Sequence, residues 1–196
     1  MVLEIVKYGH PVLRQKGAKI ENITPEIKKL IADMFTTMEE NHGVGLAAQQ
    51  VGVAKQLTVI DVRAVTDRPS TLELNGKPAD VASIMPLVLI NPEVTPAGEP
   101  VAGGEGCLSF PEIYAEISRP GTVDVKALDA KGKPISFRCG GLLARAVQHE
   151  TDHLNGLLFI DRMDKKTKAE LQPELDELQA ITKKLLAKKI SPTNLY

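Results

Sequence analysis

The chain has 196 residues, 43% of them hydrophobic and 25% charged, with 24 Lys and Arg against 25 Asp and Glu. That length fits one domain, two at most, and the composition excludes a disordered or collagen-like chain. A net charge of -1 excludes a whole-chain electrostatic drive toward DNA or an anionic membrane.

Thr24 can cap a helix that begins at Pro25, carries Ile27, Leu30, Ile31, Met34 and Met38 at helical spacing, and ends at His42 and Gly43. Short stretches rich in β-branched residues predict strands at 57–62, 87–94, 112–118, 122–128 and 134–138. Asp129 to Lys133 predicts a hairpin between the last two, so antiparallel pairing is expected. Residues 63–86 lack a period and contain Pro69, Asn75-Gly76 and Pro78; they read as a surface excursion with one hairpin. Gly141 opens a second helix, in which Leu143, Ala146, Val147 and Leu154 share a side and which Asn155-Gly156 stops. A last amphipathic helix is predicted at about 165–189, with Leu171, Leu175, Leu178, Ile181 and Leu185 as its apolar row and a fresh start at Pro173. No apolar run reaches the roughly 18 residues of a membrane helix, and Glu4 and Lys7 interrupt the stretch a signal peptide needs. A cytoplasmic protein is expected, with Cys107 and Cys139 as thiols rather than a disulfide.

The second helix contains His149-Glu150-Thr151-Asp152-His153, an H-E-x-x-H pattern. A spacing of four places both imidazoles on one helix face, within reach of one metal ion. Glu150 is then close enough to serve there as general base and general acid. The bland alternative is a polar face with two exposed histidines, which the apolar Leu143, Ala146 and Val147 just before the pair disfavour. Two protein ligands are fewer than the three a catalytic site holds. Cys107, within Gly103 to Ser109, is a third candidate because the surrounding glycines let backbone approach a metal or substrate. Alone, Cys107 fits a small buried residue equally well, and Cys139, at a strand end with no histidine nearby, fits that reading better. The stretch Gly43 to Gly52 suits backbone lying against a ligand; alone it reads as a tight loop with packed alanines, which leaves Gln49 and Gln50 unexplained.

Taken together, GVGLAAQQVG, EGCLS and QHETDH, in this order and at these separations, resemble the three motifs of the peptide deformylases. The resemblance extends to Tyr8, Pro11, Leu13 and Arg14 and covers most of residues 1–162. It implies an α+β fold, with short antiparallel strands around a central metal-binding helix and a C-terminal amphipathic helix, as one catalytic domain over 1–196. The implied activity is metal-dependent hydrolysis that removes the N-formyl group from the formyl-methionine of newly made polypeptides. In such an enzyme Cys107, His149 and His153 hold one divalent metal ion, Fe2+ by resemblance, with Ni2+, Co2+ or Zn2+ as substitutes. Glu150 is the acid and base, and the Gln50 side-chain amide and Leu108 backbone N–H stabilise the oxyanion. The substrate backbone pairs with Val44, Gly45 and Gly106, and its methionine side chain meets Val44, Leu108, Leu142 and Ala146. Tyr114 and Arg145 stand where some members carry Arg and an aliphatic residue. Asp152, about 100° round the helix from His153, is expected to point away from the metal and to pair with Arg119.

Two other readings stay open. A zinc peptidase would take a further ligand from Asp161 or Glu170, and a metal-stabilised binding module would fill four positions with protein ligands. From Thr182 onward the chain has Lys183, Lys184, Lys188 and Lys189 and no acidic residue. These read as a solvated helix end or, with nascent chains as substrate, as a contact with ribosomal RNA. No DNA or membrane partner is expected.

Overall fold

The computed structural model describes residues 1–190; residues 191–196, part of the expected domain, lie outside the described residues. The Thr24 side chain accepts the Ile27 N–H, and α1 follows as Pro25–Glu40 with Ile27, Ile31, Met34 and Met38 buried. The strands are β1 Gly45–Ala47, β2 Leu57–Ile60, β3 Ser70–Leu74, β4 Lys77–Ala79, β5 Leu87–Cys107, β6 Phe110–Leu128 and β7 Pro134–Gly140. Helices α2, Gly141–Leu154, and α3, Lys165–Ile190, complete the chain. All strands pair antiparallel in one sheet of order β1-β2-β5-β6-β7-β3-β4.

The sheet corrects the sequence reading in three places. The strands expected at 112–118 and 122–128 are one strand, and β5 continues past residue 94 to Cys107. Pro100 stands opposite Pro120, so two residues without an N–H share one rung and the ladder continues past them. Register shifts between Ile90 and Glu93, between Ala97 and Pro100 and between Gly106 and Cys107 absorb the mismatch along the pair. Residues 63–86 are more than a surface excursion. Their hairpin turns at Asn75-Gly76, and β3 then joins the sheet through β7, where Leu72 faces Cys139.

Alternation along β6 buries Ala115, Ile117, Val123 and Val125. Leu143 and Val147 of α2 share a core with Val123, Val125 and Leu72, whereas α1 covers β1, β2 and the start of β5 in a separate cluster. A third cluster joins Leu13, Phe110, Phe159 and Leu175, fastening the N-terminal segment and α3 to the far half of β6. Each such large apolar side chain contributes about 1.5–3 kcal/mol when fully buried. The first of these clusters packs the N-terminal half of α2 against the sheet.

Asp164 caps α3 by accepting the Thr167 N–H at 2.9 Å, and the helix runs through Pro173 without the expected restart. Pro173 and Ala169, whose carbonyl loses its helical partner, are both exposed, which leaves that carbonyl open to solvent. The apolar row also departs from expectation. Leu171, Leu175, Leu178 and Thr182 face the body, while Ile181 and Leu185 are 50% and 56% exposed. Ile181 lies about 90° round from the centre of that row. None of the described helices is long and apolar enough to cross a membrane.

Candidate active site

The N-terminus of α2 is capped by another strand. Its own N-cap is Gly140, which has no side chain to offer. Instead Ser70 Oγ accepts the Leu143 N–H at 3.0 Å and the Pro69 carbonyl accepts the Leu142 N–H at 3.1 Å. Gly141, at φ +65°, permits this crossing, because a Cβ there would fall 2.1 Å from the Pro69 oxygen. At the other end the Leu154 carbonyl accepts the Gly17 N–H and the Gln56 amide, each at 2.8 Å.

A helix so held presents His149 and His153 with ring centroids 5.1 Å apart. Cys107, the last residue of β5, brings its sulfur to 3.3 Å from His153 Nε2. Ligand atoms of Cys107, His149 and His153 all lie within 4.8 Å of one another. One thiolate and two imidazoles form a donor set that suits Zn2+, Fe2+ or Ni2+, and three protein ligands are the number a catalytic site uses. The residues therefore fit a metal ion. Burial opposes charge on His149, but the Cys107 sulfur and Glu105 raise its pKa well above the ordinary histidine value. His153, buried and beside His149, falls well below that value. A metal cation bound there would displace the proton that His149 holds in its absence.

The tip of the β5–β6 hairpin is fixed from the N-terminal segment. Lys7 Nζ donates to the Leu108 carbonyl at 2.8 Å, and the Tyr8 N–H donates to Ser109 O at 2.9 Å. Gln50 accepts the Ala47 N–H on its Oε1 at 2.9 Å, which turns its Nε2 toward Cys107 Sγ and Ser109 Oγ, both at 3.4 Å. Motif reading gives no role to Lys7, or to Ser109 at the end of EGCLS, because their contacts cross about 60 to 100 residues of chain.

Behind the ligands lies a buried charge network. His149 Nδ1 is 2.9 Å from Glu105 Oε2, which leaves Nε2 as the free ring nitrogen. Glu105 also accepts Arg119 Nε at 2.5 Å, Arg119 Nη2 at 3.0 Å and Arg145 Nη1 at 2.9 Å. Burial pushes the Glu105 carboxyl up, but hydrogen bonds from His149 and Arg119 outweigh it and hold the group at about 2. The expected Arg119–Asp152 pair is present at 2.8 Å, and Arg162 adds a second cation to Asp152 at 2.7 Å. Arg145 further donates to the carbonyls of Val101 and Ile117, each at 2.8 Å, so it braces both long strands. Sequence reading missed Glu105, though a signal was there: residues 105 and 107 share one face of a strand.

Glu150 is buried, and its Oε2 has no hydrogen-bond partner among the described residues. Burial pushes its carboxyl up to about 7. It lies against Gly45, where a Cβ would come 2.5 Å from Oε1. One cavity of about 520 Å³ is lined by Val44, Gly45, Gln50, Gly106, Cys107, Leu108, Leu142, Ala146, His149 and Glu150. The remaining candidate, His153, is 1% exposed and sits behind that wall. Tyr114 stands on the rim, 71% exposed. Cys139 is buried in the core, which pushes its thiol up to about 12. Of the ligands a peptidase would recruit, Asp161 pairs with Arg14 and accepts the Leu158 N–H, while Glu170 is exposed beside Lys166.

Residues 2–169 match the family model described as Polypeptide deformylase. A peptide deformylase of Opitutus terrae is 45% identical over 194 residues, which cover 98% of this chain and 100% of that one. Another, from Methylacidiphilum infernorum, is 44% identical over 179 residues, covering 91% and 94%. A solved peptide deformylase from Synechococcus elongatus, in complex with actinonin, has a TM-score of 0.75 and 40% identity, covering 90% of this chain and 85% of its own.

Proposed function

Since the chain belongs to the polypeptide deformylase family, we propose that it hydrolyses the formyl amide at the N-terminal formyl-methionine of newly made polypeptides, releasing formate. The observation that carries this reading is the Cys107, His149 and His153 cluster, with Cys107 and His149 in the cavity wall beside Glu150, whose Oε2 has no hydrogen-bond partner among the described residues. Residues 1–196 act as one catalytic domain. Cys107, His149 and His153 would hold one divalent ion, Fe2+ in the resident form and Ni2+, Co2+ or Zn2+ as substitutes. When bound, that ion supplies a Lewis acid that brings the pKa of water toward neutrality.

The protein's own groups do the rest. Glu150, with its carboxyl near 7, takes a proton from the attacking water and delivers it to the nitrogen as the C–N bond to the formyl group breaks. The Gln50 Nε2 and the Leu108 N–H donate to the oxyanion, and losing one such donor costs about 2.7–4 kcal/mol of barrier. Val44, Gly45 and Gly106 pair with the extended peptide backbone, and Leu142 and Ala146 receive the methionine side chain. The Glu105–His149 contact keeps the imidazole in one tautomer and orientation.

The proposal extends to a cytoplasmic location, where nascent chains begin, and to a ribosome contact. Lys183, Lys184 and Lys188 are exposed on α3 and available to RNA phosphates, whereas Lys189 Nζ is taken up by Glu4 at 3.0 Å.

The decisive experiment purifies the protein without air, measures metal per chain, and compares a formyl-Met peptide with the same peptide unformylated. The expected result is about one ferrous ion per chain, formate released one-for-one with free amine, and no cleavage of the plain peptide. Cleavage of the plain peptide without formate would establish a peptidase instead. Iron beside a thiolate also makes the ferrous form shorter-lived in air than a nickel form.

A further inference from the structure

Arg68 lies on the excursion that precedes β3, exposed on the wall of the 520 Å³ cavity, and its guanidinium makes no hydrogen bond or ion pair among the described residues. Its position is set by its neighbours. Pro69 and Ser70 cap α2 through the N–H groups of Leu142 and Leu143, so Arg68 stands beside the start of that helix. Leu142 precedes His149 by seven residues, about 10 Å along the axis. Of the other charged groups on the cavity, Glu150 is buried beside the metal-ligand cluster. Lys7 is tied to the Leu108 carbonyl, Arg145 and Glu105 bind each other, and Glu112 belongs to the β6 wall.

We propose that Arg68 is a specificity-determining residue that favours an acidic side chain at the third position of the peptide, counting formyl-methionine as the first. The proposal rests on the deformylase reading. In an extended peptide, alternate side chains project to the same side, and the third residue lies about 7 Å beyond the first. With the methionine side chain against Ala146 and Leu142, the third side chain projects toward the same wall, farther from the metal cluster. That is where Arg68 stands. A guanidinium offers two parallel donors to a carboxylate and repels an ammonium. The site is open to water, so the discrimination is a few-fold and falls with salt.

The test measures kcat/KM by formate release on C-terminally amidated formyl-Met-Ala-Xaa peptides with Asp, Ser or Lys at Xaa. At low salt the unmodified enzyme is expected to prefer Asp over Lys by roughly three- to tenfold, mainly through KM. Arg68→Lys should keep that order, Arg68→Glu should reverse it, and about 0.5 M NaCl should flatten it. An Asp-to-Lys ratio that is the same in the unmodified enzyme and in Arg68→Glu overturns the assignment. Absence of turnover on all three peptides would overturn the reaction itself and this subsite with it.

Discussion

Twelve of the 14 residues of α2 are buried, among them Arg145, Glu150, Asp152 and both histidines, whereas along α3 the buried side chains among the described residues are Leu175 and Thr182. On α2, Arg145 and Asp152 are answered by counter-charges from β5, β6 and Arg162, and Glu150, whose Oε2 has no hydrogen-bond partner among the described residues, is the group proposed for proton transfer. On α3 the charges stand in water, with surface pairs such as Lys166–Glu170. Breaking a buried ion pair costs about 3–5 kcal/mol because one charge is stranded, while an exposed pair is worth about 0–1 kcal/mol. Charge on α2 is therefore tied to one geometry, and charge on α3 is free to serve a partner.

The sharpest break with that contrast would come at Glu150. Glu150→Ala is expected to keep about one metal ion per chain and to lose formate release by about 10²- to 10⁴-fold. Near-normal turnover would leave α2 without its assigned proton carrier. Next is Arg119→Ala, which takes one buried cation from both Glu105 and Asp152 and leaves them Arg145 and Arg162; urea unfolding should show a loss of about 3–5 kcal/mol, with metal retention falling more than KM rises. A loss below about 1 kcal/mol would place the buried network in the same class as the surface pairs of α3.

Acid sharpens the contrast further. The Glu105 carboxyl titrates at about 2 in the folded protein against 4.5 as its ordinary value. A lowered folded pKa gives stability that is full above pH 4.5 and is lost as pH falls toward 2. Unfolding midpoints between pH 5 and pH 3 should therefore slope downward, and Glu105→Gln should remove that part of the slope. The smallest effect is expected on α3: ending the chain after Ala180 should leave turnover of a short formyl-Met peptide nearly intact while weakening salt-dependent co-sedimentation with ribosomes. Equal co-sedimentation at the same salt would make the lysines a solvated helix end.

The sequence discloses what local periodicity controls. The four-residue spacing of His149 and His153 puts both on one face whatever the tertiary contacts, and Thr24, Pro25 and Asn75-Gly76 mark the first helix and the hairpin. What it hides is decided across the chain. Pro100 and Pro120 each look like strand breakers, and only their meeting on one rung makes them harmless. Glu105 looks like one acidic residue in a glycine-rich turn until His149, Arg119 and Arg145 surround it. Ile181 and Leu185 fit an apolar row, but the body ends near Gly9, which packs on Gln179 and Thr182, and leaves them outside.

The anchoring of the hairpin tip by Lys7 and Tyr8 also sets the order in which the protein comes together in time. Tyr8 reaches Ser109 and Gly17 reaches Leu154, so the first segment made waits for partners synthesised roughly 100 residues or more later. Closing such loops is entropically costly before any contact rewards it, and domains rich in distant pairings fold in milliseconds to seconds rather than microseconds. Helix α2 and the long hairpin can form from nearby sequence, but the Leu108 tip settles only when the N-terminal segment docks. In refolding, far-ultraviolet circular dichroism should therefore recover ahead of metal-binding competence. On the ribosome, the Gly17–Leu154 contact cannot form until residue 154 has emerged.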